Sequence, residues 1–139
     1  MANLHSTAIV LSCQLDHERP RAIHLGPMSS TDIGRSAEQF VADHLNKSGY
    51  SVVAQNWRTR WCEIDVVATK NKCAYFVEVK YRKNSTWGDG LDAITKKKLQ
   101  QMGFAAEIWV QTNKWNGEYC LVAASVAGEP PNTLEIIEL

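Results

Sequence analysis

The sequence predicts an α/β fold, a central mixed β-sheet with helices packed against it. Three observations lead there. A helical face with apolar residues at steps of three and four opens the patterned part of the chain, and a second such face follows past its middle. Between them lie three runs rich in Val, Ile, Tyr and Phe, separated by short polar breaks. After the second helix come one or two more strand-like runs. An order of helix, three strands, helix and further strand is most simply buried by placing the helices on the sheet.

Residues 1–30 show no clean period, contain Pro20, Gly26 and Pro27, and read as an irregular or disordered extension, with Met28 an alternative start. The domain is then 31–139. Thr31 or Asp32 can cap the first helix, whose face is Ile33, Ala37, Phe40, Val41, His44 and Leu45. Gly49 suits the position just past its end. Residues 51–60 and 62–69 predict two strands, residues 70–72 a turn, and 73–82 a third strand. The polar stretch 83–90 is a loop, and 91–111 carries the second helical pattern. Residues 118–126 and 133–139 predict the last strands, joined by a turn at 128–132.

With 139 residues, 45% of them hydrophobic, the chain has apolar material for one core. No run approaches the roughly 18 apolar residues of a membrane span, so no membrane partner is expected. The apolar stretch 7–13 is too short for a secretory core and has no Lys or Arg before it, which predicts a cytoplasmic protein. The four cysteines form no CxxC pair, which argues for reduced thiols over a disulfide scaffold or zinc site. The four histidines show no ligand spacing in an ordered segment. Net charge is zero, yet residues 31–100 hold 12 Lys and Arg against 8 Asp and Glu, while residues 101–139 hold one against five. Local potential steers a polyanion more than total charge does, so a basic face on a neutral protein is open.

The stretch CEIDVVATKNKCAYFVEVK (62–80) concentrates the chemistry. Alternation puts Glu63 and Asp65 on one side of their strand, and Glu78 and Lys80 on one side of theirs. Ile64, Val66 and Ala68 take the opposite side of the first strand, Val77 and Val79 that of the second. A hairpin turning at 70–72 makes paired residues sum to about 142, which brings Asp65 within reach of Glu78 and Lys80. One reading is a solvated hairpin face with its charges in pairs. Against it, Val67 and Phe76 share faces with the charges. The other reading is a half-open shell for Mg²⁺, which takes one or two carboxylates plus phosphate and water. Asp65, Glu78 and the Val79 carbonyl would supply its oxygens, and Lys80 would stabilise charge on phosphorus or help activate water. Glu38, early in the first helix beside Arg35, adds a further acid if that helix crosses the hairpin; alone it reads equally as an exposed helix residue.

The ordered blocks GRSAEQFVADHLNKSGY, NWRTRWCEIDVVA, YFVEVKYR and DAITKKKLQ resemble those of YraN-like proteins, small bacterial proteins similar to Holliday junction resolvases of the PD-(D/E)xK nuclease superfamily. The resemblance covers roughly residues 33–125. It implies a restriction-endonuclease-like core in which Asp65, Glu78 and Lys80 are the nuclease-type residues, Glu38 is the helix acid, and Glu63, Arg82 and Lys98 fall on characteristic positions. Departures are Cys62 where the family has Gly, Tyr81 where it has Thr or Ser, and EYCLVAA in place of an Asp-bearing late strand.

Arg35, Arg58, Arg60, Arg82, Lys83, Lys96, Lys97 and Lys98 lie in the same segments and are candidate phosphate contacts. Trp57, Trp61 and Trp87 interleave with them and suit either base stacking or partial burial; Trp109 and Trp115 suit packing. The expected function is Mg²⁺- (or Mn²⁺-) dependent endonucleolytic hydrolysis of DNA, branched or flapped forms included, with Glu38, Asp65, Glu78 and Lys80 as catalytic residues. A binding protein that keeps the fold without turnover is the alternative. A symmetric junction as substrate would call for a homodimer.

Overall fold

The computed structural model describes residues 29–83 and 94–139. The expected N-terminal extension lies almost wholly outside them, as do most of the loop expected at 83–90, Trp87, and residues 91–93 of the expected second helix.

Helix α1 spans Ser30–Lys47. Its cap is Ser29, two or three residues earlier than the expected Thr31 or Asp32. The Ser29 hydroxyl accepts the Asp32 N–H at 3.2 Å, and the Asp32 carboxylate accepts the Ser29 N–H at 3.2 Å. Asp32 is thus the reciprocal partner of a capping box, satisfying donors that the first turn leaves free. Gly49, at φ 84°, takes the left-handed position after the helix, as expected.

Strands β1 (Ser51–Arg58), β2 (Glu63–Lys70) and β3 (Cys73–Arg82) follow as an antiparallel meander. Only Asn71 and Lys72 turn between β2 and β3, at φ 51° and 61°, so Lys70 belongs to the strand. Two successive left-handed residues match the twist of a tight hairpin. The pairing Val66↔Val77 sets the register at a sum of 143, one residue from the expected 142.

Helix α2 spans Lys96–Thr112, and Thr95 caps it by accepting the Lys98 N–H at 3.1 Å. It therefore begins later than the periodicity at 91–94 suggested; an N-cap hydroxyl decides the start where the apolar rhythm runs on into the preceding segment. The helix carries the chain over to β4 (Glu118–Ala127), which lies parallel to β3, and β5 (Thr133–Glu138) closes the sheet antiparallel to β4. The result is a five-stranded mixed sheet in the order β1-β2-β3-β4-β5, an α/β arrangement of the restriction-endonuclease-like kind.

Each helix covers one face. Ala37, Val41 and Leu45 of α1 pack with Val66, Ala68, Val77, Val122, Ala124 and Val126. Ala105, Ala106 and Trp109 of α2 pack with Ile64, Val67, Ala74 and Phe76. Ile64 is thus on the opposite side from Val66 and Ala68, which corrects the single face expected for all three. Strict alternation fails at Asp65, where the sheet itself divides. Pairing of β2 with β3 stops at Val66↔Val77, while β2 continues beside β1 to Glu63 and β3 beside β4 to Arg82. Among the described residues, no helix is long and apolar enough to cross a membrane.

Candidate active site at a fork in the sheet

The fork has a local cause. The Val79 N–H donates to Asp65 Oδ2 at 2.8 Å, so a side chain takes the bond that a strand ladder would have used. On the far side of β2, Asn56 sits at φ 50°, an uncommon conformation within a strand that Asn tolerates better than most residues. Strand β2 parts from β3 here, and the acids occupy the opening. Because N–H and C=O of one extended residue point to the same edge, the Val79 carbonyl also faces the fork.

Glu78 is 8% exposed, the only charged residue among the described ones that is buried. A carboxylate can be buried at this depth only if it is paired. Lys80 Nζ and Lys98 Nζ each lie 3.0 Å from Glu78 Oε1. Lys80 comes from the same face of the same strand, and Lys98 from the first turn of α2. Asp65 is half-buried, and its carboxyl is pushed up to about 6, first by burial and then by the negative charge of Glu78. The Val79 N–H and the Lys98 charge pull the other way without cancelling this, and Glu38 adds to the rise. Glu38 reaches this field from α1, held by Asn56 Nδ2, which donates to its Oε2 at 2.8 Å.

The structure therefore gathers Glu38, Asp65, Glu78, Lys80 and Lys98 at one place, with both helices contributing. Among the described residues, no group of three or more His, Cys, Asp or Glu side chains is gathered tightly enough to ligate a metal unaided. An ion here would rest on Asp65 and Glu78, with the Val79 carbonyl, water or a phosphate completing its oxygens. That donor set fits a hard divalent cation, and crowding of negative charge on Asp65 is what such a cation relieves.

The remaining basic candidates are more scattered. Arg58 pairs with Glu63 at 3.2 Å, both side chains exposed, so the pair contributes little to stability. Arg60 stacks on Trp61, its guanidinium carbon 4.0 Å from the ring centroid. Arg82 is half-buried, and its Nε lacks a hydrogen-bond partner among the described residues. Arg35, Lys83, Lys96 and Lys97 are exposed. Of the three consecutive lysines only Lys98 turns toward the acids. Trp57 and Trp115 are partly buried against the α2-side core, and Trp109 lies within it, whereas Trp61 is exposed.

The departures in sequence leave the fork intact. The Cys62 thiol lies 3.2 Å from the Thr59 hydroxyl, inside the β1–β2 connection. Tyr81 packs on the α1 side and its hydroxyl donates to the Gly128 carbonyl at 3.1 Å, away from Lys80 on the other face. Asn56 is a residue the sequence does not single out; an Asn, disfavoured in strands, inside a strand-like run is its one local sign.

Known proteins match across these same elements. The family described as "Uncharacterised protein family UPF0102" matches residues 37–127. A UPF0102 protein of Pseudomonas fluorescens Pf0-1 is 39% identical over 88 residues, covering 63% of this chain and 73% of that one. Another, from Ectopseudomonas mendocina, is 35% identical over 104 residues, 72% and 87% of the two chains. A third, from Cytophaga hutchinsonii, is 34% identical over 96 residues, 69% and 85%. The chain belongs to the UPF0102, or YraN-like, family.

Proposed function

We propose that this protein is a Mg²⁺-dependent endonuclease that hydrolyses DNA, branched or flapped structures among its substrates. One observation carries the reading: two carboxylates from adjoining strands, Asp65 and Glu78, meet Lys80 where the sheet divides, and Asp65 is held near 6 by burial and by its neighbour's charge. Unpaired strand edges and a strained acid are poor choices for a merely structural hairpin, and such features cluster where chemistry is done. Asp65, Glu78 and the Val79 carbonyl would hold the cation, which when bound supplies Lewis acidity toward a phosphate and lowers the pKa of water. Lys80, the more exposed of the two lysines beside Glu78, would offer its ammonium to charge developing on phosphorus. Glu38, oriented by Asn56, stands ready to orient a water from the α1 side. Arg35, Arg58, Arg60, Arg82, Lys83 and Lys96–Lys98 are the proposed phosphate contacts, and a symmetric junction would require two such chains.

The alternative, DNA binding without turnover, is supported by the two lysines that already compensate Glu78. A cleavage screen over duplex, single-stranded, flap and four-way DNA with Mg²⁺ or Mn²⁺ separates the two. The nuclease reading expects a metal-dependent product on at least one substrate and none from Asp65→Ala. Salt-sensitive binding with no product on any of them would leave the binding reading.

A further inference from the structure

The connection between β1 and β2 does something an ordinary turn does not. Thr59 ties it down: its hydroxyl accepts the N–H of Trp61 at 3.1 Å and of Cys62 at 3.2 Å, and its own N–H donates to the Cys62 carbonyl at 2.9 Å. Yet this fixed loop holds Trp61 outward, 63% exposed. Across from it, α2 leaves Phe104 48% exposed, while Met102, Ala105 and Ala106 of the same helix are buried. A tryptophan left in water by a rigid loop marks a contact surface more than a packing failure.

Trp61 and Phe104 line one cleft, together with Cys62, Glu63, Lys98, Gln101 and Met102. Its volume is about 220 Å³. That is below the roughly 300–1,000 Å³ of a drug-sized pocket and suits a single planar ring system. Glu63 and Met102 also line a separate, much smaller hollow bounded by Ile64, Phe76, Val77 and Glu78. The cleft therefore lies next to Glu78, with Glu63 and Met102 between them. Its charge is mixed in a useful way: Arg60 lies over Trp61 and Lys98 lines the wall, while Gln101 and Glu63 bring an amide and a carboxylate suited to the edge of a base.

We propose that this cleft is a subsite for one unpaired nucleobase of a DNA single strand, stacked against Trp61 and Phe104, with Arg60 and Lys98 meeting the adjoining phosphates. Aromatic side chains stack on bases of any sequence, and cations beside them track the backbone; the two together are the pattern of single-strand binding. A base within a duplex has no free face to offer, so the cleft selects unpaired strand. The inference deepens the nuclease reading by naming the feature of the substrate that sits beside Glu78, but it concerns binding and can be tested apart from cleavage.

The test is fluorescence anisotropy in EDTA with a labelled mixed-sequence single strand and the matching duplex. Trp61→Ala and Phe104→Ala are each expected to weaken single-strand binding about tenfold or more, and to change duplex binding by less than about threefold. Trp61→Phe is expected to recover most of the loss. Both side chains are exposed, and an unchanged melting temperature confirms that the variants fold. Equal loss on duplex and single strand, no loss on either, or no single-strand binding by the native chain would overturn the subsite. If cleavage is absent but the stacking losses are found, the subsite stands and the nuclease reading falls. If cleavage of a flap proceeds unchanged in Trp61→Ala, the reverse holds.

Discussion

Asp65→Asn is expected to lose Mg²⁺-dependent cleavage by about 10²–10³-fold or more while making the metal-free protein more stable at pH 8. The two effects share one cause. In the folded chain Asp65 is raised to about 6, above the ordinary value of 3.8, because burial and the charge of Glu78 disfavour its ionised form. A raised acid contributes stability that is present in full below its unfolded value and is lost as pH rises through the folded one. At pH 8 the charged Asp65 is therefore a burden, about 1–3 kcal/mol in the metal-free state. Asn keeps an oxygen to accept the Val79 N–H and removes the charge. Thermal melts of both proteins in EDTA should show Asn ahead at pH 8, with the gap closing between pH 6 and pH 4. A variant less stable than the native chain at pH 8 would mean that Asp65 is a structural acceptor and no more.

Phe76→Ala is expected to cost about 3–5 kcal/mol, measured by denaturant unfolding. The ring is 1% exposed and packs edge-on against Trp109 at 5.4 Å and Tyr119 at 5.7 Å, so α2 cannot close the void by moving one side chain. Phe76 lies two residues before Glu78 on the same face of β3, beneath the helix that brings Lys98. Loss of the ring should thus loosen the seat of α2 and weaken the Lys98–Glu78 contact as well as the core. A cost below about 1 kcal/mol would show that α2 is held by other means.

These two residues also mark what the sequence could and could not convey. Phe76 was legible because a buried strand announces itself by its apolar run, and the hairpin around Asn71 and Lys72 needed only local signals. Hence Asp65, Glu78 and Lys80 could be brought near one another from spacing alone. The division of the sheet was not legible, because it arises when a side chain replaces a ladder bond at Val79, and alternation assumes an unbroken ladder. That is why alternation puts Ile64 on the wrong face. Lys98 could be named as a cation but not as the partner of Glu78, since the pairing depends on where Thr95 starts the helix and on how α2 crosses the sheet. Asn56 and Phe104 act through contacts with elements far along the chain, Glu38 in one case and the Trp61 cleft in the other. No period in the sequence encodes those contacts.

We propose that the acids in the fork form a seat for a divalent cation. Calorimetric titration of Mn²⁺ into the native chain and into Asp65→Asn, without nucleic acid, tests it most directly. The native protein should bind and should melt at a higher temperature as Mn²⁺ is added, since a ligand of the folded state stabilises it, and Asp65→Asn should show neither effect. Equal binding by the two proteins, or no binding by the native chain, would contradict the claim.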